Sequence, residues 1–327
     1  MGTRDRCAHS HRRRGVERVG GRGTSRSNAR RHHGRSSEMS FLVNADTRVV
    51  IQGITGQLGV FVTRMMDDHD LAPVAGVTPG RGGERVGSVP VFDTIEEAAR
   101  EAGANASLVL VPAHGLRDAV LEAIEGGMSP TVLMVDGVPL GLSEELLRAA
   151  RAAGIVIIGP NSPGLISPGQ CLLGALHPAK FSAGDIAVIS RSGGMMSTIA
   201  HTLSVAGMGT STCLGIGGDS VIGLDMAQAA LLAQNDDDSR AIVIFGEIGT
   251  SQEERLADLV KSGAVTKPVV AYIAGAAAPA GIRYSHAGAK VDGVEGSAQS
   301  KKRALADGGV HVVDRYIDIP AVLNDAM

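Results

Sequence analysis

The sequence predicts an α/β protein with two parallel-sheet domains in tandem. Two observations lead to this fold class. From Arg48 onward, short runs of β-branched residues alternate with stretches rich in Ala, Leu and Glu, and strands separated by helices of such length are typical of βαβ units. The alternation is interrupted once, by a segment rich in Gly and Pro, and then begins again. A length of 327 residues suits two domains of ordinary size.

The first series of elements lies between residues 48 and 158. Apolar, β-branched runs predict five strands, at residues 48–51, 72–77, 108–111, 131–135 and 156–158. The stretches between them predict four helices, at residues 59–68, 95–102, 116–126 and 143–152. Each helix follows one strand and precedes the next, so this half is expected to form one doubly wound sheet.

A connector and a second series follow. The segment GPNSPGLISPG at residues 159–169 contains three Pro and three Gly, which is typical of a loop. Strands are then predicted at residues 186–189, 212–216, 241–246, 269–273 and 310–313, with helices at 251–261 and 297–307 among the stretches between them. We therefore expect a domain over residues 39–165 and another over residues 166–327.

Composition excludes several classes of protein. Five Phe, three Tyr and no Trp are too few aromatic rings for a protein that binds single strands by base stacking. The three cysteines are far apart and lack a CxxC pair, so neither a disulfide framework nor a metal site is expected, and a reducing cytoplasm is the predicted location. The sequence has no uninterrupted apolar run of eighteen residues, which predicts that it has no membrane span.

Residues 1–38 differ from the rest in charge. They contain eleven Arg and three acidic residues, a net charge of +8 that leaves −11 on the remainder. With few apolar residues, the segment is expected to be a disordered basic extension. A basic arm for nucleic acid and an organelle transit peptide are alternatives. The preferred interpretation is that the native chain starts at Met39.

The first strand leads into a glycine-rich turn, Gly53-Ile54-Thr55-Gly56-Gln57-Leu58-Gly59, and then a helix. Such a turn lets the backbone approach a phosphate at a helix N-terminus, although its glycines also ease packing. A site for NAD would have an acidic residue near the end of the next strand. That strand instead ends in VTPGRGG, with Arg81. A cationic end suits the ribose phosphate of coenzyme A (CoA) or NADP.

The second series contains another such turn, in which Ser192 and Gly193 open a helix directly after a strand. It is either an anion cradle or an ordinary helix cap formed by Ser192.

Two further residues of the second series follow strands. Glu247 ends an apolar strand, where a carboxylate needs a partner, and His286 lies in a loop after the next strand. Because parallel strands end at one edge of a sheet, the two are expected to meet there. The carboxylate would fix the imidazole tautomer and leave the other ring nitrogen as a nucleophile.

From residue 39 onward, the chain resembles the α subunit of succinyl-CoA synthetase (succinate–CoA ligase). The resemblance depends on an ordered series of motifs. These are GxTGxxG at residues 53–59, VTPGRGG at 77–83, PVFDT at 90–94, GPNSPGLISPGQC at 159–171, SRSG at 190–193, GIGGD at 215–219, GEIG at 246–249, TKPVVAYIAG at 266–275 and HAGA at 286–289. The start at Met39 also resembles the usual start of the family.

The resemblance implies a Rossmann-like CoA-binding domain, followed by a flavodoxin-like ligase domain, in a chain that pairs with a β subunit. That ATP-grasp partner would hold ATP or GTP with Mg²⁺, and no metal site is expected in this chain. The nucleotide would phosphorylate His286, the phosphate would pass to the carboxylate substrate, and CoA would attack the acyl phosphate.

The resemblance also implies roles for individual residues. Glu247 would orient His286, and Ser192 with Gly193 would receive the phosphate. The residues expected to bind CoA are Thr55, Gly56, Gln57, Leu58, Arg81, Met134, Val135 and Asp136.

Four residues depart from the family pattern. Arg81 replaces Lys, Ser162 replaces Cys and Asp136 replaces Glu. Ser197 stands where succinate-specific members have a Tyr near the carboxylate substrate. The expected substrate is still succinate.

Three alternatives stay open. They are a ligase for a related dicarboxylate such as malate, a non-catalytic CoA-binding regulatory paralogue, and an NADP-dependent Rossmann oxidoreductase.

Overall fold

The computed structural model describes residues 41–275 and 296–327. The predicted basic extension and Met39 lie outside the described residues, and so does His286.

The first half of the chain forms a seven-stranded sheet with the order β3-β4-β2-β1-β5-β6-β7. Its strands are β1 (Val49–Gln52), β2 (Ala75–Val77), β3 (Arg85–Val86), β4 (Val89–Phe92), β5 (Ala106–Val109), β6 (Thr131–Leu133) and β7 (Ile157–Ile158). Its helices are α1 (Gln57–Asp67), α2 (Ile95–Ala102), α3 (Leu116–Glu125) and α4 (Leu140–Ala153). Neighbouring strands are parallel except β3 and β4. The predicted elements are confirmed with small shifts, whereas β3 and β4 were not predicted.

The second half forms another seven-stranded sheet, with the order β14-β13-β12-β10-β11-β8-β9. Its strands are β8 (Gly164–Ser167), β9 (Cys171–Gly174), β10 (Ala183–Ser190), β11 (Thr210–Gly215), β12 (Ala241–Glu247), β13 (Val269–Ala274) and β14 (His311–Val313). Its helices are α5 (Gly193–Val205), α6 (Met226–Asn235), α7 (Gln252–Lys261), α8 (Ala298–Asp307) and α9 (Ile319–Ala326). Strand β8 pairs antiparallel with both β11 and β9, and the other neighbouring strands are parallel. The predicted α/β class is therefore confirmed for both halves.

The predicted connector is only partly correct. Its second half contains β8, which pairs with β11 and forms a hairpin with β9. Leu165 and Ile166 are buried there, which explains why this segment is a strand despite its flanking Gly and Pro. The first sheet ends at Ile158 and the second begins at Gly164, so a boundary at residue 165 would fall within β8.

The central strands supply the core. Every residue of β1, β5 and β12 is buried, and so are the last five residues of β10, as expected for parallel strands that are covered by helices on both faces. Within the described ranges 41–275 and 296–327, no helix is long and apolar enough to cross a membrane.

The strand orders locate two candidate sites. In the first sheet β1 lies at the centre, with β2 beside it on one side and β5 on the other, so the order of strand addition reverses at β1. In the second sheet β10 lies between β11 and β12 in the same manner. Such reversals open a crevice at the carboxyl ends of the strands, where α/β proteins bind ligands.

Candidate active site

A cavity of about 930 Å³ lies at the reversal point of the first sheet. Its walls come from the turn after β1, the segments after β2 and β5, and helix α3. Thr55, Gly56, Gln57 and Leu58, the residues of this turn that are predicted to bind CoA, line the cavity. The volume lies near the upper end for small-molecule sites, which suits a ligand as large as CoA.

Two glycines shape the turn after β1. Gly53 has a φ of +82°, which a residue with a side chain rarely adopts. A Cβ on Gly59 would lie 2.5 Å from the carbonyl oxygen of Gly53. The helix can therefore start close to the strand only because both positions are glycine.

The N-terminus of α1 is open to an anion. Gly56 caps the helix without a side-chain hydrogen bond, and the first turn contains no acidic residue. Helix N-termini concentrate unpaired N–H groups and a positive dipole end. This geometry fits a phosphate of CoA.

Three carboxylates line the cavity, those of Asp93, Asp118 and Glu122. Asp93 Oδ1 accepts a hydrogen bond from the N–H of Gly82 at 2.8 Å. Glu122 Oε1 accepts one from the N–H of Ile95, also at 2.8 Å. These two side chains thus fasten a loop and the start of α2 to the cavity wall.

The other predicted CoA residues are not among the residues that line this cavity. Arg81 forms a two-bond pair with Glu84, in which Nε is 2.9 Å from Oε1 and Nη2 is 2.6 Å from Oε2. Hydrogen bonding to Arg81 lowers the pKa of the Glu84 carboxyl. Met134, Val135 and Asp136 directly follow β6, and they are not among the residues that line the cavity.

The pair predicts that Glu84 competes with CoA for Arg81. We expect Glu84→Gln to tighten CoA binding about two- to fivefold, since exposed ion pairs are weak competitors, and Arg81→Gln to weaken it. Isothermal titration of the full chain with CoA measures both. Glu96→Gln, which removes an exposed charge from the start of α2, controls for net charge. Equal affinities for Glu84→Gln and Glu96→Gln would contradict the competition.

The second candidate site lies at the reversal point of the second sheet, where β10 leads into α5. Ser192 caps the helix, and its Oγ accepts a hydrogen bond from the N–H of Met195 at 3.4 Å. Gly193 begins the helix, and the first turn again has no acidic residue. The cap and the anion cradle considered from the sequence are therefore compatible, since Ser192 occupies only one N–H at long distance.

Glu247 ends β12, the strand beside β10, and it has a buried partner that the sequence did not identify. Its Oε1 accepts a hydrogen bond from Arg191 Nε at 2.9 Å. The Arg191 side chain is fully buried and that of Glu247 is 12% exposed. The partner that a carboxylate at a strand end requires is thus supplied in part by arginine.

A second buried pair supports the main chain of Glu247. Glu253 Oε1 accepts a hydrogen bond from the N–H of Glu247 at 3.1 Å. Glu253 Oε2 lies 2.5 Å from Lys301 Nζ, which also donates to Glu254 at 2.9 Å and to the carbonyl of Thr250 at 3.0 Å. Burial raises the pKa of the Glu253 carboxyl, and the charge of Lys301 opposes this effect.

Ser197 lies one turn into α5. Its Oγ donates to the carbonyl oxygen of Gly193 at 3.1 Å, so its single hydroxyl proton is used within the helix.

The cysteines that the structure describes, Cys171 and Cys213, are both buried, and burial raises the pKa of each thiol to about 12. Neither thiol is therefore suited to act as a nucleophile at neutral pH.

Sequence reasoning missed several residues of these sites. In the first cavity it missed Asp93 and Glu122. In the second it missed Arg191, Glu253 and Lys301. Arg191 did carry a signal, because a charged residue between an apolar strand and a small-residue helix start needs a buried partner.

Two family models match the chain. The model of a CoA binding domain matches residues 44–137, and the model of a CoA-ligase matches residues 189–311. The first range contains the turn after β1 and the cavity, and the second contains α5, Arg191 and Glu247.

Solved structures share this fold at lower sequence identity. The ATP citrate lyase of Methanothrix soehngenii, solved with citrate and coenzyme A, superposes with a TM-score of 0.79 at 23% identity, over 87% of this chain and 50% of that one. A dinucleotide-forming acetyl-coenzyme A synthetase of Ca. Korarchaeum cryptofilum gives a TM-score of 0.69 at 20% identity, over 85% and 61%. The present chain thus spans about half to three fifths of each.

Closer relatives match along nearly their whole length. Succinate–CoA ligase [ADP-forming] subunit alpha 2 of Archaeoglobus fulgidus is 43% identical over 289 residues, which are 88% of this chain and all of that protein. The corresponding alpha subunit of Aquifex aeolicus is 41% identical over 84% of this chain and 91% of its own length. The chain therefore belongs to the succinate–CoA ligase alpha-subunit family, and it is a subunit of an acid–CoA ligase with a CoA-binding domain.

Proposed function

We propose that this chain, paired with a β subunit, forms succinyl-CoA reversibly from succinate, CoA and a nucleoside triphosphate through a phosphohistidine at His286. The observation that carries the proposal is the crevice at the end of β10 and β12. It combines the turn at Ser192 and Gly193, where the Ser192 side chain occupies only one N–H of the helix start, with a carboxylate at Glu247 that Arg191 holds. A phosphorylated imidazole needs both N–H donors that bind its phosphate and a hydrogen-bond partner for its ring.

The proposed reaction has three steps. A ring nitrogen of His286 attacks the γ-phosphorus of ATP, and the bond to ADP breaks. The carboxylate of succinate then takes the phosphoryl group from the imidazole, which gives succinyl phosphate. The CoA thiol finally attacks the acyl carbon, loses its proton and displaces inorganic phosphate.

The chain's own residues would contribute position and charge. Glu247 would hold one nitrogen of the His286 ring, so that the other faces the phosphoryl group. The N–H groups at the start of α5 would receive the transferred phosphate. The turn at residues 55–58 would hold CoA phosphates in the cavity of the first sheet.

The partner and the location are parts of the same proposal. The β subunit is proposed because relatives of nearly the same length are named as alpha subunits. It would bind ATP or GTP with Mg²⁺. A reducing cytoplasm remains the proposed location, and the free thiols of Cys171 and Cys213 agree with it.

A test of this function is thioester formation by the reconstituted pair. With a β subunit, ATP, Mg²⁺, succinate and CoA, we expect succinyl-CoA and one ADP for each thioester. Without the β subunit, we expect none. Thioester formation by the chain alone would contradict the proposed division of labour.

A related dicarboxylate is the second candidate substrate, and Ser197 favours it. Its hydroxyl donates to Gly193 within α5, so it does not offer a directed proton to an acid, as a tyrosine hydroxyl would. One such hydrogen bond is worth on the order of 1 kcal/mol, or about fivefold in preference. We expect activity with succinate but weak discrimination against malate, glutarate, itaconate and citrate.

A substrate panel tests this expectation through kcat/KM for each acid. Ser197→Tyr is expected to restore preference for succinate about fivefold, and Ser197→Ala is the matched control, with no change expected. Strict preference for succinate in the unmodified enzyme, unaffected by Ser197→Tyr, would show that this position does not select the acid.

A further inference from the structure

One buried guanidinium connects three loops at the reversal point of the second sheet. Arg191 Nε donates to Glu247, Nη1 donates to Thr250 Oγ1 at 3.0 Å, and Nη2 donates to the carbonyl oxygens of Gly218 at 3.1 Å and Asp219 at 3.4 Å. Its partners follow β11 and β12, the two strands that flank β10. Arg191 itself follows β10. The guanidinium therefore links the carboxyl ends of three adjacent strands.

The main chain of Arg191 belongs to the other half of the same site. Its N–H donates to the carbonyl of Phe245 at 3.3 Å, and the next two residues are Ser192 and Gly193. One residue thus joins the turn that would receive the phosphate to the carboxylate that would hold the imidazole.

We propose that Arg191 is a positioning residue that sets the Glu247 carboxylate relative to the phosphate-binding turn. This inference rests on the proposed function, in which the Glu247 carboxylate holds the imidazole and the turn at Ser192 and Gly193 receives the phosphate. Arginine suits the role since its planar fork has five N–H donors in fixed directions, whereas lysine has one compact charge. Burial of the charge is compensated by the Glu247 carboxylate and three further oxygen atoms.

Glu247 is held at both ends, which strengthens the argument. Arg191 holds the carboxylate, and Glu253, itself paired with Lys301, holds the main-chain N–H. With the backbone fixed in this way, loss of Arg191 is expected to shift the Glu247 carboxylate while the main chain stays in place. A shift of about 1 Å at a reacting centre costs roughly 100-fold in rate.

The experiment measures phosphate incorporation from γ-labelled ATP into the α/β complex. The variants are Arg191→Met, Arg191→Lys and the control Arg255→Met, which breaks an exposed ion pair with Asp225 on the same domain. For Arg191→Met we expect the labelling rate to fall about 100-fold, with KM for ATP and Kd for CoA within about twofold of the wild type. Arg191→Lys should recover part of the rate, and Arg255→Met should match the wild type.

Chemical rescue supplies a second readout that a purely structural role would not move. Methylguanidinium added to folded Arg191→Ala complex is expected to raise the labelling rate about fivefold or more, because it replaces the missing donors. Methylammonium should not. CoA binding by each variant reports that the chain is folded, and Arg191→Lys with the rescue carries the test if Arg191→Met does not fold.

Three results would overturn the inference. They are a labelling rate for Arg191→Met within threefold of wild type, an Arg191→Lys variant equal to wild type, and rescue by methylammonium as strong as by methylguanidinium. Failure of the proposed function appears differently, as label that persists in His286→Asn. Loss of label in His286→Asn together with normal labelling in Arg191→Met rejects the inference alone.

Discussion

Replacing His286 with Asn is expected to abolish phosphate incorporation by the α/β complex, to below about one-thousandth of the wild-type rate. Asparagine keeps a polar side chain but has no ring nitrogen to attack phosphorus. The measurement is acid-labile, base-stable label from γ-labelled ATP. Label that survives in His286→Asn would place the phosphoryl group on another residue and would end the phosphohistidine proposal.

Glu247→Gln is the companion variant, and it separates orientation from nucleophilic attack. Glutamine keeps an oxygen that can accept the hydrogen bond from Arg191 Nε, so the fold is expected to persist. It loses the negative charge that would stabilise one imidazole tautomer, and we expect labelling to slow about 100-fold or more. Because CoA binds at the first sheet, CoA affinity should stay unchanged in both variants. A joint loss of CoA binding would indicate misfolding.

Lys301→Met is expected to lower the free energy of unfolding by about 3–5 kcal/mol, because it leaves buried Glu253 without its cation. Lys301 Nζ and Glu253 Oε2 are 2.5 Å apart, and both side chains are completely buried. For a chain of this length, the expected loss lowers the thermal midpoint by about 5–8 °C. Thermal unfolding at pH 8, monitored by circular dichroism, measures it.

The loss should shrink as the pH falls. Burial raises the pKa of the Glu253 carboxyl above its ordinary value of 4.5, so the folded chain binds this proton more tightly than the unfolded chain. For such a group, stability decreases as the pH rises through the folded pKa and is regained as the pH falls toward 4.5. Without Lys301 the carboxyl would protonate at higher pH, and the deficit of Lys301→Met should be smaller at pH 5.5 than at pH 8.

A neighbouring lysine gives the control. Lys302 on the same helix pairs with Asp314, whose side chain is 91% exposed. Lys302→Met should therefore change the free energy of unfolding by no more than about 1 kcal/mol. Equal effects of the two substitutions, or a deficit for Lys301→Met that does not depend on pH, would contradict the account of the buried pair.

Some elements could be predicted from the sequence because their signals are local. The bounds of α2 agree with the structure, since Thr94 caps its start by accepting the N–H of Glu97 and Gly103 ends it with a φ of +64°. The turn at Gly53 and Gly59 could be predicted for the same reason, because its conformation depends on glycines only six residues apart. Buried parallel strands such as β10 and β12 could also be predicted from the sequence, because they must be apolar on both faces.

Other elements depended on partners far away in the chain. Strand β8 lies in a Gly- and Pro-rich segment, and what makes it a strand is pairing with β11, about fifty residues later. The side-chain partner of Arg81 was also not predicted, although Glu84 is only three residues away. The exact neighbours of an exposed, flexible side chain are not encoded in the pattern of residue types around it.

By itself, the sequence determined the α/β class, the two glycine or serine turns at helix starts, and the resemblance to an acid–CoA ligase subunit. These depend on residue types at short spacing, which act through backbone conformation and strand burial. Only the tertiary structure decided that Arg191 meets Glu247, 56 residues apart, and that Lys301 meets Glu253, 48 residues apart. The physical reason is that a buried charge needs a counter-charge nearby, and the fold decides which charged residues lie close together. The separation of two residues along the chain does not determine the distance between their side chains.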